Sequence, residues 1–173
     1  MKKRIILCGK AASGKDYFRD FLMLKEKKIS VSKTTRPQRD GETPGYTYDY
    51  ISDEEFLEMK EEGSFHEHVI FNGWGYGTTK ESFENDEVFI FTPSGIDTLS
   101  REEINNSVVV YFEIPYDVRF NRLDERSDSD QIQRRMNADS LDFMDFDEWD
   151  IRVTNPMYDP DALLDTINSY MEI

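Results

Sequence analysis

One heptapeptide, Gly9-Lys10-Ala11-Ala12-Ser13-Gly14-Lys15, constrains this chain more than any other stretch. It reads G-x-x-x-x-G-K and follows a short apolar run, Ile5-Ile6-Leu7-Cys8. That run is long enough for a buried strand and too short for a helix. Glycines let successive backbone N–H groups turn toward one centre, and a helix starting behind them adds its dipole to the anion nest. Lys15 then reaches the outer phosphates as a point charge. Gly9 through Asp16 are therefore the expected cradle for the phosphates of a bound nucleotide.

Asp16 departs from the usual motif, which has Ser or Thr after the lysine to place a hydroxyl on Mg2+. A carboxylate there can coordinate the metal directly or hold one of its waters, because Mg2+ prefers oxygen ligands and keeps several waters. Without a metal it repels phosphates. It also suits the first turn of a helix, where negative charge is favourable. The three readings stay open at this level.

At 173 residues the chain has room for one domain with a proper core. Its 13% aromatic content argues against disorder despite a 33% charged fraction. A formal net charge of −15 argues against general nucleic-acid binding, since phosphate backbones would be repelled. Small anionic ligands remain compatible if the basic residues are gathered locally. Cys8 is the only cysteine, so no intrachain disulfide forms, and a buried thiol in a reducing compartment is expected. The four apolar residues after Lys2-Lys3-Arg4 are too few for a signal peptide, and no run approaches the ~18 to 20 apolar residues of a membrane span. The expectation is a cytoplasmic protein, a monomer or homodimer, without membrane or nucleic-acid partners.

Along the chain, apolar spacing from Tyr17 to Leu24 predicts a short helix, and Ile29-Ser30-Val31-Ser32 a second strand. Turn signals crowd residues 33–50, and Ser52-Asp53-Glu54-Glu55 resembles a capping box for a helix stopped at Gly63. His66–Asn72 alternates as a strand, and Asn72-Gly73 is a hairpin signal. Further strands are expected at Val88–Phe91, Val108–Ile114 and Ile151–Val153. Helices are expected at Lys80–Asn85, after Pro115, from about Gln131 into the acidic and aromatic run Leu141–Trp149, and at Pro160–Met171. Buried strands alternating with helices predict a parallel sheet covered on both faces, a P-loop nucleotide-binding α/β fold. Residues 1–32 and 79–173 would form its core, and about 33–78 a small β-rich insertion.

Arg36 and Arg39 stand three apart among small hydroxyl residues, with Tyr48 and Tyr76 nearby in the same insertion. Arginine's planar fork suits bidentate capture of phosphate, and phenols bind it without adding charge. This marks a second candidate anion site.

The stretch from Ile29 to Lys80 resembles the guanylate kinases. The matching pieces are Ser30–Arg39 (SVSKTTRPQR), Gly41-Glu42 with Gly45 and Tyr48, Ser52–Phe56 (SDEEF), Gly63–Glu67 (GSFHE), and Tyr76-Gly77-Thr78 with Lys80-Glu81. Arg122–Arg126, Arg135 and Trp149–Asn155 continue the similarity, so most of the chain is covered. The resemblance implies transfer of a phosphoryl group from ATP, with Mg2+, to GMP or dGMP. It implies that Arg36, Arg39, Tyr48 and Tyr76 hold the acceptor phosphate and that Ser32, Glu67 and Thr78 meet the guanine edge. Lys15, Arg126 and Arg135 would neutralise the transferring group, and Asn155 would lie on the adenine side. Residues 33–78 would bind the monophosphate and about 126–140 would form a short helical lid.

One further departure accompanies Asp16. Thr92 and Ser94 stand in Val88–Gly95 (VFIFTPSG), where the family strand usually ends in aspartates. A kinase with a different or broader base preference is therefore one alternative. A non-catalytic module that binds a phosphorylated or protein ligand is another, although it has no need of an ATP cradle. His66 and His68, two apart with no third ligand in the pattern, are not expected to hold a metal.

Overall fold

The computed structural model describes residues 3–125 and 129–172. The chain runs β1 (Arg4–Gly9), α1 (Lys15–Leu24), β2 (Lys33–Thr34), β3 (Asp49–Tyr50), α2 (Asp53–Glu61), β4 (Phe65–Phe71) and β5 (Trp74–Thr79). It continues through α3 (Lys80–Asn85), β6 (Val88–Ile90), α4 (Pro93–Ile96), α5 (Arg101–Asn105) and β7 (Ser107–Phe112). α6 (Tyr116–Asp124), α7 (Ser129–Asp142), β8 (Ile151–Val153) and α8 (Pro160–Met171) complete it.

Four strands form a parallel sheet in the order β6-β1-β7-β8. Successive residues of a strand face opposite sides, so continuous apolar runs serve two cores at once. Ile5 and Leu7 of β1 join Val108, Val110 and Phe112 of β7 against Phe18 and Leu22 of α1 and Leu163 and Ile167 of α8. Ile6, Cys8, Val109 and Tyr111 face the other way, with Phe83, Phe89, Ile96 and Phe143. Burying such side chains stabilises by about 1.5–3 kcal/mol each, and the sheet is fixed in place by both layers. A third, smaller cluster of Leu123, Ile132 and Met136 packs α6 and α7 beside Ala11 and Ala12. No helix among the described residues is long and apolar enough to cross a membrane.

Residues 33–79 contribute a separate sheet in the order β3-β2-β5-β4, antiparallel except for β2 with β3. Its hairpin turns at Asn72 (φ 52°) and Gly73 (φ 85°), the left-handed pair that a two-residue turn requires. α2 starts with Ser52 accepting from the Glu55 N–H, one half of the expected capping box. Phe56 and Phe65, with ring centroids 4.9 Å apart, cover one face of β5. A Cβ at Gly77 would lie 2.6 Å from the Phe65 ring, so only glycine admits this packing.

Two expected elements are different. Ile29–Ser32 is not a strand: Ile29 makes a single bridge to Val88, the Ser30 N–H donates to Val88 O, and pairing then passes to β2 in the other sheet. The alternating apolar pattern there serves a crossing between sheets, not a ladder. The helix also does not continue through Leu141–Trp149; α7 ends at Asp142. Asp145 takes a left-handed φ of 62°, and the chain folds Phe143 and Phe146 onto Tyr111, at centroid distances of 5.5 and 5.2 Å. Two aromatic contacts outweigh continued helical propensity in an acidic segment.

Candidate active site

The Gly9–Lys15 loop joins the C-terminal end of β1 to α1, as its sequence predicts. Gly9 is required by space: a Cβ would sit 2.9 Å from Phe112 O and 2.7 Å from Ser13 Oγ. Ala12 (φ 59°) and Gly14 (φ 92°) take the left-handed turns that bring the amides round. Side chains hold the loop's carbonyls. Lys10 O accepts from Lys15 Nζ at 3.3 Å, Ala11 O from Arg119 Nη1 at 3.5 Å, and Ala12 O from Arg122 Nη1 at 3.0 Å. The Tyr158 hydroxyl donates to Gly14 O at 3.1 Å. Asp16 occupies the first turn of α1, largely exposed, with Arg19 Nη1 3.6 Å away.

A cavity of about 210 Å3 runs from this loop to the second sheet. Ala11, Ala12, Lys15 and Asp16 line one end; Ser32, Arg36, Arg39, Tyr48, Glu67 and Tyr76 line the other. Thr78 is buried behind Ser32, their hydroxyls 3.5 Å apart. The sequence-based site residues of the two ends are thus brought around one space. Lys10, Ser13 and Gly14 shape the loop without lining the cavity.

The end away from the loop is a set of paired side chains. Arg36 is buried and donates to Glu42 Oε1 at 2.7 Å and to Pro37 O at 2.9 Å. Glu42 also accepts from the Tyr50 hydroxyl at 2.7 Å and from the Arg39 N–H at 2.8 Å. Burial opposes ionisation of Glu42, but these donors, Arg36 foremost, hold its carboxyl below the usual range. Burial likewise raises Tyr48 and Tyr76, so both phenols stay neutral donors. Their rings stand 5.8 Å apart, and Arg36 lies 5.3 Å from the Tyr48 centroid.

Glu67, on β4, is 5% exposed. Burial pushes its carboxyl up to about 7, with Thr78 opposing the shift through its side chain and backbone. A buried carboxyl that titrates near neutrality is shifted readily toward its ionised form by hydrogen-bond donors brought to it.

Other sequence candidates fall elsewhere. Asn155 is exposed in the turn after β8, where its side chain accepts from the Met157 N–H, and it does not line the cavity. Arg126 lies outside the described residues, and Arg135 is described only as part of the α7 backbone. Thr92 lines the cavity while its hydroxyl caps α4 by accepting from the Gly95 N–H; Ser94 Oγ donates to Asp142. His66 stacks on Phe83 at 3.6 Å with Nε2 2.9 Å from Glu103, away from the cavity. No group of three or more His, Cys, Asp or Glu side chains capable of holding a metal occurs among the described residues.

Sequence reasoning assigned no role to Glu42, Arg119, Tyr158 or Asp139. The three-residue spacing of Arg119 and Arg122 on one helix was a usable signal. Asp139 and Tyr158 carried none, because their contacts with the loop span 128 and 144 residues.

A family model described as guanylate kinase matches residues 1–172. The chain belongs to the guanylate kinase family. It is 35% identical over 150 residues to a guanylate kinase of Legionella pneumophila (strain Paris), covering 82% of this chain and 71% of that one. It is 32% identical over 168 residues to a guanylate kinase of Nostoc sp. (strain PCC 7120), covering 88% and 82%. The crystal structure of guanylate kinase from Anaplasma phagocytophilum shares the fold, with a TM-score of 0.71 at 20% identity over 99% of this chain and 85% of that one.

Proposed function

We propose that this family member transfers the terminal phosphoryl group of ATP to GMP or dGMP, giving ADP and the guanosine diphosphate. The observation that carries the reading is one cavity lined at one end by the phosphate loop and at the other by paired arginines, phenols and a buried carboxylate. Phosphoryl transfer depends on positioning and electrostatic stabilisation more than on covalent chemistry, so such a space is most of what the reaction needs.

The loop amides and Lys15 take the ATP phosphates. Arg36 and Arg39, with Tyr48 and Tyr76, take the acceptor phosphate; Arg36 exchanges one oxyanion partner, Glu42, for another. Glu67 reads the base, because an ionised carboxylate accepts from the adjacent N1 and N2 donors of guanine, whereas adenine offers no such pair. Ser32 and Thr78 flank it. In this reading residues 33–78 are the monophosphate-binding unit, and about 126–140 a lid whose Arg126 and Arg135 join Lys15 around the transferring group. Asn155 belongs to the adenine side, on the turn that Arg122 ties to the loop through Pro156 O. Asp16 lines the cavity beside Lys15 and is the hard oxygen donor that suits Mg2+, directly or through water. Asp16 would hold such an ion near the loop, where it would supply positive charge to offset that of the phosphates. A buried free thiol at Cys8 suits a reducing cytoplasm.

The test is a coupled ADP-release assay with ATP, Mg2+ and each of GMP, dGMP, AMP, CMP, UMP and dTMP. Turnover confined to the guanine nucleotides is expected. Comparable turnover with several bases would replace guanine specificity by a broader one. None with any of them, from folded protein that still binds GMP, would leave a binding module.

A further inference from the structure

The phosphate loop already holds an anion, and it belongs to the chain itself. Asp139, in the last turn of α7, accepts from the Ala11 N–H through Oδ2 at 2.7 Å. Its carboxylate is 7% exposed and lines the same cavity as Lys15 and Asp16. Arg119 Nη1 lies 4.0 Å away, a buried guanidinium that also donates to Ile114 O and reaches Ala11 O. A loop N–H, a carboxylate and an arginine thus form a compact arrangement at the mouth of the cradle. One and two turns back, Met136 and Ile132 anchor α7 beside Ala11 and Ala12, so this contact is the polar end of an apolar seam.

A carboxylate and a nucleotide phosphate make the same demand on a loop amide, and two like charges do not share one donor at hydrogen-bond distance. We propose that Asp139 is a positioning residue that stands in for nucleotide phosphate in the empty enzyme and is displaced when ATP fills the loop. Displacement frees the C-terminal turn of α7, the helix whose backbone carries Arg135. Occupancy of the donor site is thereby linked to the position of the helix that completes the site. Asp139 also sets a threshold on ATP affinity, because the competent loop is only the fraction from which the carboxylate has withdrawn. The inference rests on the Gly9–Lys15 loop being the ATP cradle and does not depend on which base the acceptor carries.

The experiment is calorimetric titration of the full chain with inorganic triphosphate and with ATP, without acceptor, for the wild type, Asp139→Asn and Asp139→Ala. Asn keeps the shape and a weaker acceptor; Ala removes both. Removing a competing charge-assisted hydrogen bond should tighten triphosphate binding by roughly 10-fold in Asp139→Ala and by less in Asp139→Asn. The Kd of GMP should not change in either. Hydrogen exchange across residues 132–142 adds a readout that a purely structural role would not move. Triphosphate should accelerate exchange there in the wild type, whereas both variants should start fast and stay so. Unchanged or weaker triphosphate binding by the two variants would overturn the proposal, since a carboxylate that merely braces the loop gives that result. Failure of all three proteins to bind triphosphate or ATP would overturn the cradle reading, and this proposal with it.

Discussion

The two ends of the cavity are prepared for anions by different means. At the loop end the donors are backbone amides, and the loop's shape is fixed through its carbonyls: its own Lys15 holds Lys10 O, and Arg119, Arg122 and Tyr158 hold those of Ala11, Ala12 and Gly14 from outside. On the proposed reading that end exchanges the Asp139 carboxylate for a phosphate while the contacts that hold its carbonyls stay in place. At the other end the donors are side chains committed to one another. Arg36 is paired with Glu42, and Glu67 is buried with its carboxyl pushed to about 7. On the proposed reading an acceptor exchanges partners at Arg36, and Glu67 gives up its proton to solvent as it accepts from the base. The donor end is preorganised by backbone; the acceptor end gains selectivity by making binding conditional on the right ligand chemistry.

The contrast can be broken most severely at Lys15. Lys15→Met should lower kcat by about 10^3-fold, the scale for losing one electrostatic contact to the developing charge, while GMP binding by calorimetry stays unchanged. A parallel loss of GMP affinity would mean that the ends are not separable. Glu67→Gln comes next. An amide cannot accept from both guanine donors, and kcat/KM for GMP should fall by roughly 10^2-fold with little change in the KM for ATP. Arg36→Lys keeps the charge but loses the planar fork. Its KM for GMP should rise by about 10-fold, and a neutral result would show that Arg39 and the tyrosines suffice. The smallest effect is expected at Tyr158→Phe, which removes one hydrogen bond from the loop. The KM for ATP should rise about 3- to 10-fold in steady-state assays, consistent with a contribution of about 1 kcal/mol.

Glu67 also gives stability a pH dependence in the unliganded protein. The folded carboxyl holds its proton to about pH 7, whereas the ordinary value is 4.5. Below that window the native state carries no penalty. As pH rises through it, the unfolded chain binds fewer protons, and stability falls. Thermal melts between pH 5 and 8 should show this loss, about pH 7 marking where it levels off, and Glu67→Gln should flatten the trend.

The parts of this architecture that sequence reading anticipated are those fixed by local chemistry. The glycine loop between strand and helix, the Asn72-Gly73 hairpin, α3 over Lys80–Asn85, β8 and α8 each carry their own turn, cap or period. The errors came where long-range contacts decide. Ile29–Ser32 has a strand's alternation but finds only one bridge, because the chain is leaving one sheet for another. Leu141–Trp149 is interrupted because Phe143 and Phe146 reach Tyr111, a contact invisible to any local window. The site divides in the same way. Arg36, Arg39, Tyr48 and Tyr76 stood out through their pattern within one segment and Glu67 through the family resemblance, and all five line the cavity. Asp139 and Tyr158 reach the loop from its far side in sequence and could not be paired with it beforehand.

The most direct measurement of the contrast is the pH dependence of GMP affinity. GMP and inorganic triphosphate would each be titrated calorimetrically into the wild type and Glu67→Gln from pH 5.5 to 8.5. The GMP phosphate itself titrates near pH 6, so the difference between the two proteins isolates Glu67. Wild-type affinity should rise more steeply than that of the variant up to about pH 7, with a proton released on binding, while the donor end shows no such difference. Parallel GMP profiles in the wild type and Glu67→Gln, with the same proton release in both, would contradict the account, because the acceptor end would then bind its base without the conditional carboxylate.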